Sequence, residues 1–199
     1  MTAATSPPPD PAILGRWLDQ AGAPGAGILP VSELLSGGSQ NTLYRIRRGP
    51  ASMVLRMPGP RADDERLRGL RREIQLVRAL SGTDVPHAAL IAADDDGSVL
   101  GAPGYVMADI DGWSPMAGGW QPPFDTDLTA RRELGFQLVE GAALLSRVDW
   151  QARGLAGFGR PDGFRHRRQG ADQRDLTLGA VPPAAQHQVD QVADDHRNH

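Results

Sequence analysis

The sequence predicts an α+β fold. Two observations carry this: three short strand-like runs joined by turn-rich separators, and after them a strongly amphipathic helix followed by two more strand-like runs. Residues 1–9 are small, polar and Pro-rich and read as a disordered arm. Asp10 is a natural N-cap and Pro11 suits the first helical position. Ile13, Leu14, Trp17 and Leu18 then recur at helical spacing until Gly22 and Pro24 end a short leading helix. The strand-like runs are Val31 to Leu35, Thr42 to Arg47 and Ser52 to Met57, divided by residues 37–41 and by Gly49-Pro50, so an antiparallel meander is the simplest reading.

From Asp63 to Leu80, the residues Leu67, Leu70, Ile74, Val77 and Leu80 fall three or four apart among Arg and Glu, the clearest helical period in the chain. Ala88 to Ala93 and Tyr105 to Ile110 follow as strands, parted by the turn Asp94-Asp95-Asp96-Gly97. Residues 111–125 hold Trp113, Pro115, Trp120, Pro122 and Pro123 without periodicity and read as a linker. A second long helix is expected over Thr126 to Val148, with an interruption near Gly141. From Arg165 onward large apolar residues are sparse, aromatic residues are absent and four of the five histidines occur, with no amphipathic period.

Composition narrows the function. With 199 residues, 40% hydrophobic and 23% charged, the chain can bury a core, and its 24 Gly and 17 Pro imply many turns. There is no cysteine, which excludes a disulfide framework, a thiolate metal site and a cysteine nucleophile. All 21 basic residues are Arg, so a Walker-type phosphate loop, which needs its Lys, is excluded. A net charge of −3 argues against a dedicated nucleic-acid binder. No apolar run approaches the roughly 20 residues that span a bilayer, so no membrane association and a cytoplasmic location are expected.

Several polar residues stand where they could do chemistry. In Leu35-Ser36-Gly37-Gly38-Ser39-Gln40-Asn41, between the first two strands, the missing side chains would let backbone N–H groups approach phosphate oxygens. The same residues also read as an ordinary hairpin turn. Arg56, near the end of the third strand, could reach α and β phosphates, and Glu73, beside the Leu70 and Val77 stripe, could turn inward to hold that cation. Taken singly, each reads more readily as a surface ion. Tyr105 to Ile110, including Met107 and Asp109, offers backbone donors and acceptors with an apolar flank, as an adenine edge and face require; a plain buried strand with solvated acids accounts for it too.

As an ordered set, residues 35–41, Gly101-Ala102-Pro103-Gly104-Tyr105-Val106-Met107, and Val148-Asp149-Trp150 through Gly159-Arg160-Pro161 resemble the aminoglycoside phosphotransferase and choline kinase-like branch of the protein-kinase-like superfamily. The likeness runs from about Ser32 to Phe164. It implies a kinase-like N-terminal lobe over residues 10–110, built as a five-stranded antiparallel sheet plus helix. Residues 111–164 would then be a linker and the first helix of an incomplete C-terminal lobe. By the same resemblance ATP is the cofactor and a small-molecule hydroxyl the acceptor. Gly37, Gly38, Ser39 and Asn41 would cover the phosphates, Arg56 would stand where many members carry Lys, and Glu73 would be its partner. Met107 and Asp109 complete the expected nucleotide-binding set.

The family also uses a His-Gly-Asp loop with a downstream Asn and a metal-binding Asp, yet His-x-Asp does not occur anywhere in the chain. No catalytic residue and no metal ligand is therefore assigned, although Mg2+ is expected for intact members. Residues 165–199 read as a disordered or out-of-frame tail, and the chain as an inactive fragment. The alternative is a non-catalytic nucleotide-binding or protein-interaction module. The helix from Thr126, lacking the partners it has in the larger lobe, is expected to drive self-association.

Overall fold

The computed structural model describes residues 7–37, 41–112 and 119–159. The expected N-terminal arm through residue 6, Gly38, Ser39 and Gln40 of the glycine turn, Trp113 and Pro115 of the linker, and the expected tail over 165–199 lie outside the described residues. The chain divides into two compact units, Met1–Ala156 and Gly157–His199, and the described helices and strands lie in the first.

Helix α1 (Pro11–Gln20) begins as its sequence dictates: the Asp10 carboxylate accepts from the N–H groups of Ala12 at 2.8 Å and Ile13 at 3.1 Å, and Pro11 occupies the first turn. Strands β1 (Val31–Gly37), β2 (Asn41–Arg48) and β3 (Ala51–Pro58) form the expected meander. A bulge at Leu35 shifts the β1–β2 register immediately before the glycine turn, with Leu34 opposite Tyr44 but Ser36 opposite Leu43. Helix α2 (Asp64–Leu80) follows, N-capped by Asp63 and carrying Asp64 and Glu65 in its first turn and Arg78 in its last, as the helix dipole favours. Strands β4 (Leu90–Asp94) and β5 (Gly104–Ala108) complete a five-stranded antiparallel sheet in the order β1-β2-β3-β5-β4. The crossover through α2 carries the chain to the far edge, and β5 returns to fill the gap beside β3.

The two faces of this sheet are covered differently. Strand alternation sends Tyr44, Ile46, Met53, Leu55, Met57, Ala92 and Val106 to one face, where they meet Leu14, Leu18 and Ala23 in a closed core. Five of these, Leu14, Leu18, Ile46, Leu55 and Val106, are 0% exposed, and burying such a side chain contributes about 1.5–3 kcal/mol. The opposite face is covered by α2 through the smaller cluster of Leu70, Ile74 and Tyr105, flanked by Val77, Leu90, Ala93 and Met107.

Arg48 is the exception inside the larger core. Its side chain is fully buried, yet every direction of its guanidinium is met: Nε donates to the Ile28 carbonyl at 2.8 Å, Nη1 to that of Pro24 at 3.5 Å, and Nη2 to the Asp19 carboxylate. The Arg48 hydrogen bond holds the Asp19 carboxyl below its ordinary range, with burial opposing. The loop from α1 to β1 thus wraps a buried cation. Gly25 makes that approach feasible, since at φ +79° an added Cβ would lie 2.6 Å from the Arg48 Cβ and 2.7 Å from its carbonyl oxygen.

Several elements differ in extent from the sequence expectation, β4, β5 and the last helix among them. Strand β4 starts and ends later, because Asp94 closes the strand as a buried acceptor for the N–H groups of Gly97, Val99 and Leu100 at 3.1, 3.0 and 2.7 Å. Strand β5 stops at Ala108 rather than Ile110, because the Asp109 side chain bonds back to the sheet. Helix α3 (Leu128–Ser146), N-capped by Asp127, continues through Gly141 without the expected interruption. A single Gly lowers helix propensity by about 1 kcal/mol and does not stop a helix by itself. None of the residues of α3 is buried.

Gly25→Ala and Gly27→Ala separate backbone strain from contact. Both glycines have positive φ, but around Gly27 nothing lies within 4 Å of an added Cβ. Gly27→Ala should cost the left-handed penalty alone, about 1–2 kcal/mol. Gly25→Ala should cost a further ~1–3 kcal/mol for overpacking. Thermal unfolding of the two variants checks the difference, and equal melting temperatures would refute the Arg48 wrap.

Candidate functional site

The site begins with the alternation of β3. Because Leu55 and Met57 point into the core beneath α1, Val54 and Arg56 point to the face on which α2 lies. Across the sheet Arg56 is the register partner of Tyr105 on β5. On α2, Glu73 sits beside the buried Ile74 and three residues after the buried Leu70, so packing of those two turns its side chain toward the sheet.

The three side chains meet at one oxygen. Arg56 Nε lies 3.1 Å from Glu73 Oε1, a contact ion pair, and the Tyr105 hydroxyl donates to the same Oε1 at 3.0 Å. Arg56 and Glu73 retain 25% and 34% side-chain exposure, whereas Tyr105 is 3% exposed. A pair this exposed adds at most about 1 kcal/mol to stability, so its consequence is positional. Burial, reinforced by the charge and hydrogen bond of Glu73 and opposed by Arg56, holds the Tyr105 phenol well above its ordinary value of 10.0.

Asn41 begins β2 and shares with Glu73 the wall of a cavity of about 440 Å3, which Asp63, Glu65, Arg66, Gly69 and Leu70 complete. Asn41 lies next to Thr42, the register partner of Gly37. Met107 lies half-buried among the residues packed with Tyr105 on this same face. Asp109 is elsewhere: the register places Met53 opposite Ala108, so Asp109 falls at the far end of β3, roughly 13 Å along the strand from Arg56. There it accepts from Ser52 Oγ at 2.5 Å and Arg45 Nε at 2.9 Å, and these bonds, that of Ser52 foremost, hold its carboxyl below the ordinary range against burial.

The fold thus brings Asn41, Arg56 and Glu73 to one place, keeps Met107 on the same face, and engages the Asp109 carboxylate with the sheet. The residue that sequence reasoning missed is Tyr105. Its signal was available, since a Tyr alternating with Met107 on a buried strand must find a hydrogen-bond partner. Among the described residues, no three His, Cys, Asp or Glu side chains are grouped so as to hold a metal ion.

A model of the phosphotransferase enzyme family, APH, matches residues 31–199. The chain belongs to this family. The APH match includes the segment that the sequence led us to expect as a tail. A crystal structure from Ralstonia eutropha JMP134, provisionally assigned as an aminoglycoside phosphotransferase, is similar at 27% identity with a TM-score of 0.59; the likeness covers 88% of this chain and 50% of that one. The chain therefore spans half the length of that APH-type protein. No curated protein matches. Among the described residues of this APH chain, no helix is long and apolar enough to cross a membrane.

The site makes a spectroscopic prediction. Tyr44 and Tyr105 are the two tyrosines, and both phenols are raised from 10.0, Tyr44 by burial. An acid whose folded pKa is raised stabilises the fold below its unfolded value and loses that contribution as pH climbs above it. Tyrosinate absorbance should therefore stay silent near pH 10 and rise in one step with unfolding. Tyr105→Phe should shift that step to higher pH; an ordinary titration at pH 10 in the folded protein would contradict the geometry.

Proposed function

We propose that this chain carries the nucleotide-binding half of an ATP-dependent small-molecule phosphotransferase, with Arg56 contacting the polyphosphate and Glu73 holding it there. The observation that carries the reading is the convergence of Arg56 and Tyr105 on one Glu73 oxygen beside the cavity that Asn41 also lines. A cation oriented by a helix-borne carboxylate is what positioning of a transferable phosphate calls for. Membership of the phosphotransferase family supports a nucleotide and a hydroxyl acceptor as substrates. On this reading residues 10–110 form the nucleotide lobe, and Gly37, Gly38, Ser39 and Asn41 cover the phosphates. The backbone near Met107 and Asp109 receives the base.

Phosphoryl transfer itself is not expected of this chain. General-base help and metal-held charge supply much of the rate in such enzymes. His-x-Asp is absent from all 199 residues. Arg in place of an ammonium also changes the contact, since a planar fork can hold a carboxylate and a phosphate in one plane where Lys would be a point charge.

A thermal-shift titration with ATP and Mg2+ tests the reading. The chain should be stabilised at millimolar nucleotide, and Arg56→Ala should weaken binding about 10- to 100-fold, the loss of one charge-assisted contact. No stabilisation of the wild-type chain would end the nucleotide proposal.

One observation favours a protein-interaction role alongside it. On α3, Leu128, Leu138 and Val139 are 73%, 71% and 68% exposed, and Phe136 and Leu145 are also exposed. An apolar surface of this kind marks an association site. Sedimentation should show concentration-dependent self-association that Leu138→Glu abolishes; a monodisperse monomer at all concentrations would rule it out.

A further inference from the structure

We infer that Arg153 is a positioning residue, acting through α2 on Glu73. Its Nη1 donates to the carbonyls of Ala79 at 2.9 Å and Ser81 at 2.8 Å, the last carbonyls of α2 and the cap that follows. These groups have no partner within a helix, and a cation at this end also meets the negative end of the helix dipole. A second bond joins the same two segments, from Gln75 Nε2 on α2 to the carbonyl of Gly154 at 3.1 Å.

The turn that presents Arg153 is itself fixed. Asp149 accepts from the Ala152 N–H at 3.0 Å, and the backbone bonds Arg153 to Asp149 and Leu155 to Trp150 close it at 3.1 and 2.9 Å. Leu155 is 7% exposed, whereas α3, which leads into this turn, buries no residue. The chain after α2 thus anchors back on that helix at the turn following α3.

Helix α2 rests on the sheet through Leu70 and Ile74 against Tyr105. It is also tied by Arg71 Nε to the Asp95 carbonyl at 3.1 Å and by Arg78 to the Asp95 carboxylate at 2.8 Å. Those ties come from the sheet's own β4–β5 connection. The Arg153 and Gln75 bonds come from the segment that follows α3. A helix transmits displacement along its length, and Glu73 lies only six residues, roughly 9 Å along the axis, from Ala79. Loss of Arg153 therefore frees the end of α2 and lets Glu73 drift from Arg56. The consequence for nucleotide rests on the function proposed above.

The experiment compares the full chain with Arg153→Ala, Arg153→Lys and, as a control at an exposed position of α2, Arg68→Ala. Hydrogen exchange over residues 75–81 should accelerate about tenfold in Arg153→Ala, and ATP affinity should fall about five- to tenfold. Arg153→Lys, which keeps donors for both carbonyls, should restore most of each, and Arg68→Ala should leave ATP affinity unchanged. Faster exchange with unaltered affinity would reduce Arg153 to a helix cap and overturn the inference, as would exchange that does not change.

Where the wild-type chain binds no ATP, the nucleotide reading fails separately, and coupling is read from Tyr105. In Arg153→Ala the Tyr105 ring resonances of the folded chain at neutral pH should shift, because Glu73 no longer lies against the hydroxyl. Resonances identical to wild type would overturn the coupling.

Discussion

Burial of Met53, Leu55 and Met57 beneath α1 is the constraint on which the rest of this lobe depends. A strand cannot bury three odd positions on one face without delivering its even positions to the other. Arg56 therefore stands opposite α2 as a consequence of hydrophobic packing on the far side of the sheet. A one-residue slip of β3 would bury the guanidinium and expose Leu55 and Met57 together, so register and site geometry are fixed by the same interaction. The Arg48 wrap secures this face further by fastening the α1–β1 loop over the end of β2.

Electrostatics then refine what packing has placed. The Arg56–Glu73 pair contributes too little to hold the fold, and its partly exposed setting leaves the guanidinium reachable by a ligand. Tyr105 tightens the arrangement because it is buried and must satisfy its hydroxyl, and the Glu73 oxygen is where it does so. Specificity of position comes from the neutral donor, and chemical reach from the charged one.

What was legible in the sequence was local. The Asp10 cap, the period of α2, the three-strand meander and the pairing of Arg56 with Glu73 follow from spacing and residue type, and each is present. The fold class was also readable, because strand and helix periods differ sharply. The illegible features are those decided by residues far apart in the chain. The Asp109 side chain read as a solvated acid, and only the sheet register shows that Ser52 and Arg45 take its carboxylate. Arg48 gave no sign of being buried, since its acceptors come from a loop twenty or more residues earlier. Tyr105 was seen as part of a strand and not as a donor to α2. Gly141 was overweighted as a break, because helix propensity is a weak prior against a continuous run of good formers.

The charge of the open face bears on what it can accept. Asp63, Glu65 and Glu73 line the cavity against the single guanidinium of Arg66, with Arg56 at its margin. Two cations against three carboxylates leave a formal excess of one negative charge, offset by about half a charge from the N-terminal end of α2. A bare polyphosphate would meet repulsion here, and one that arrives with its own divalent cation would not. On the function proposed above, this charge would favour a metal-complexed nucleotide over a free one. It also makes Arg56 decisive, since without it the formal excess beside this cavity doubles.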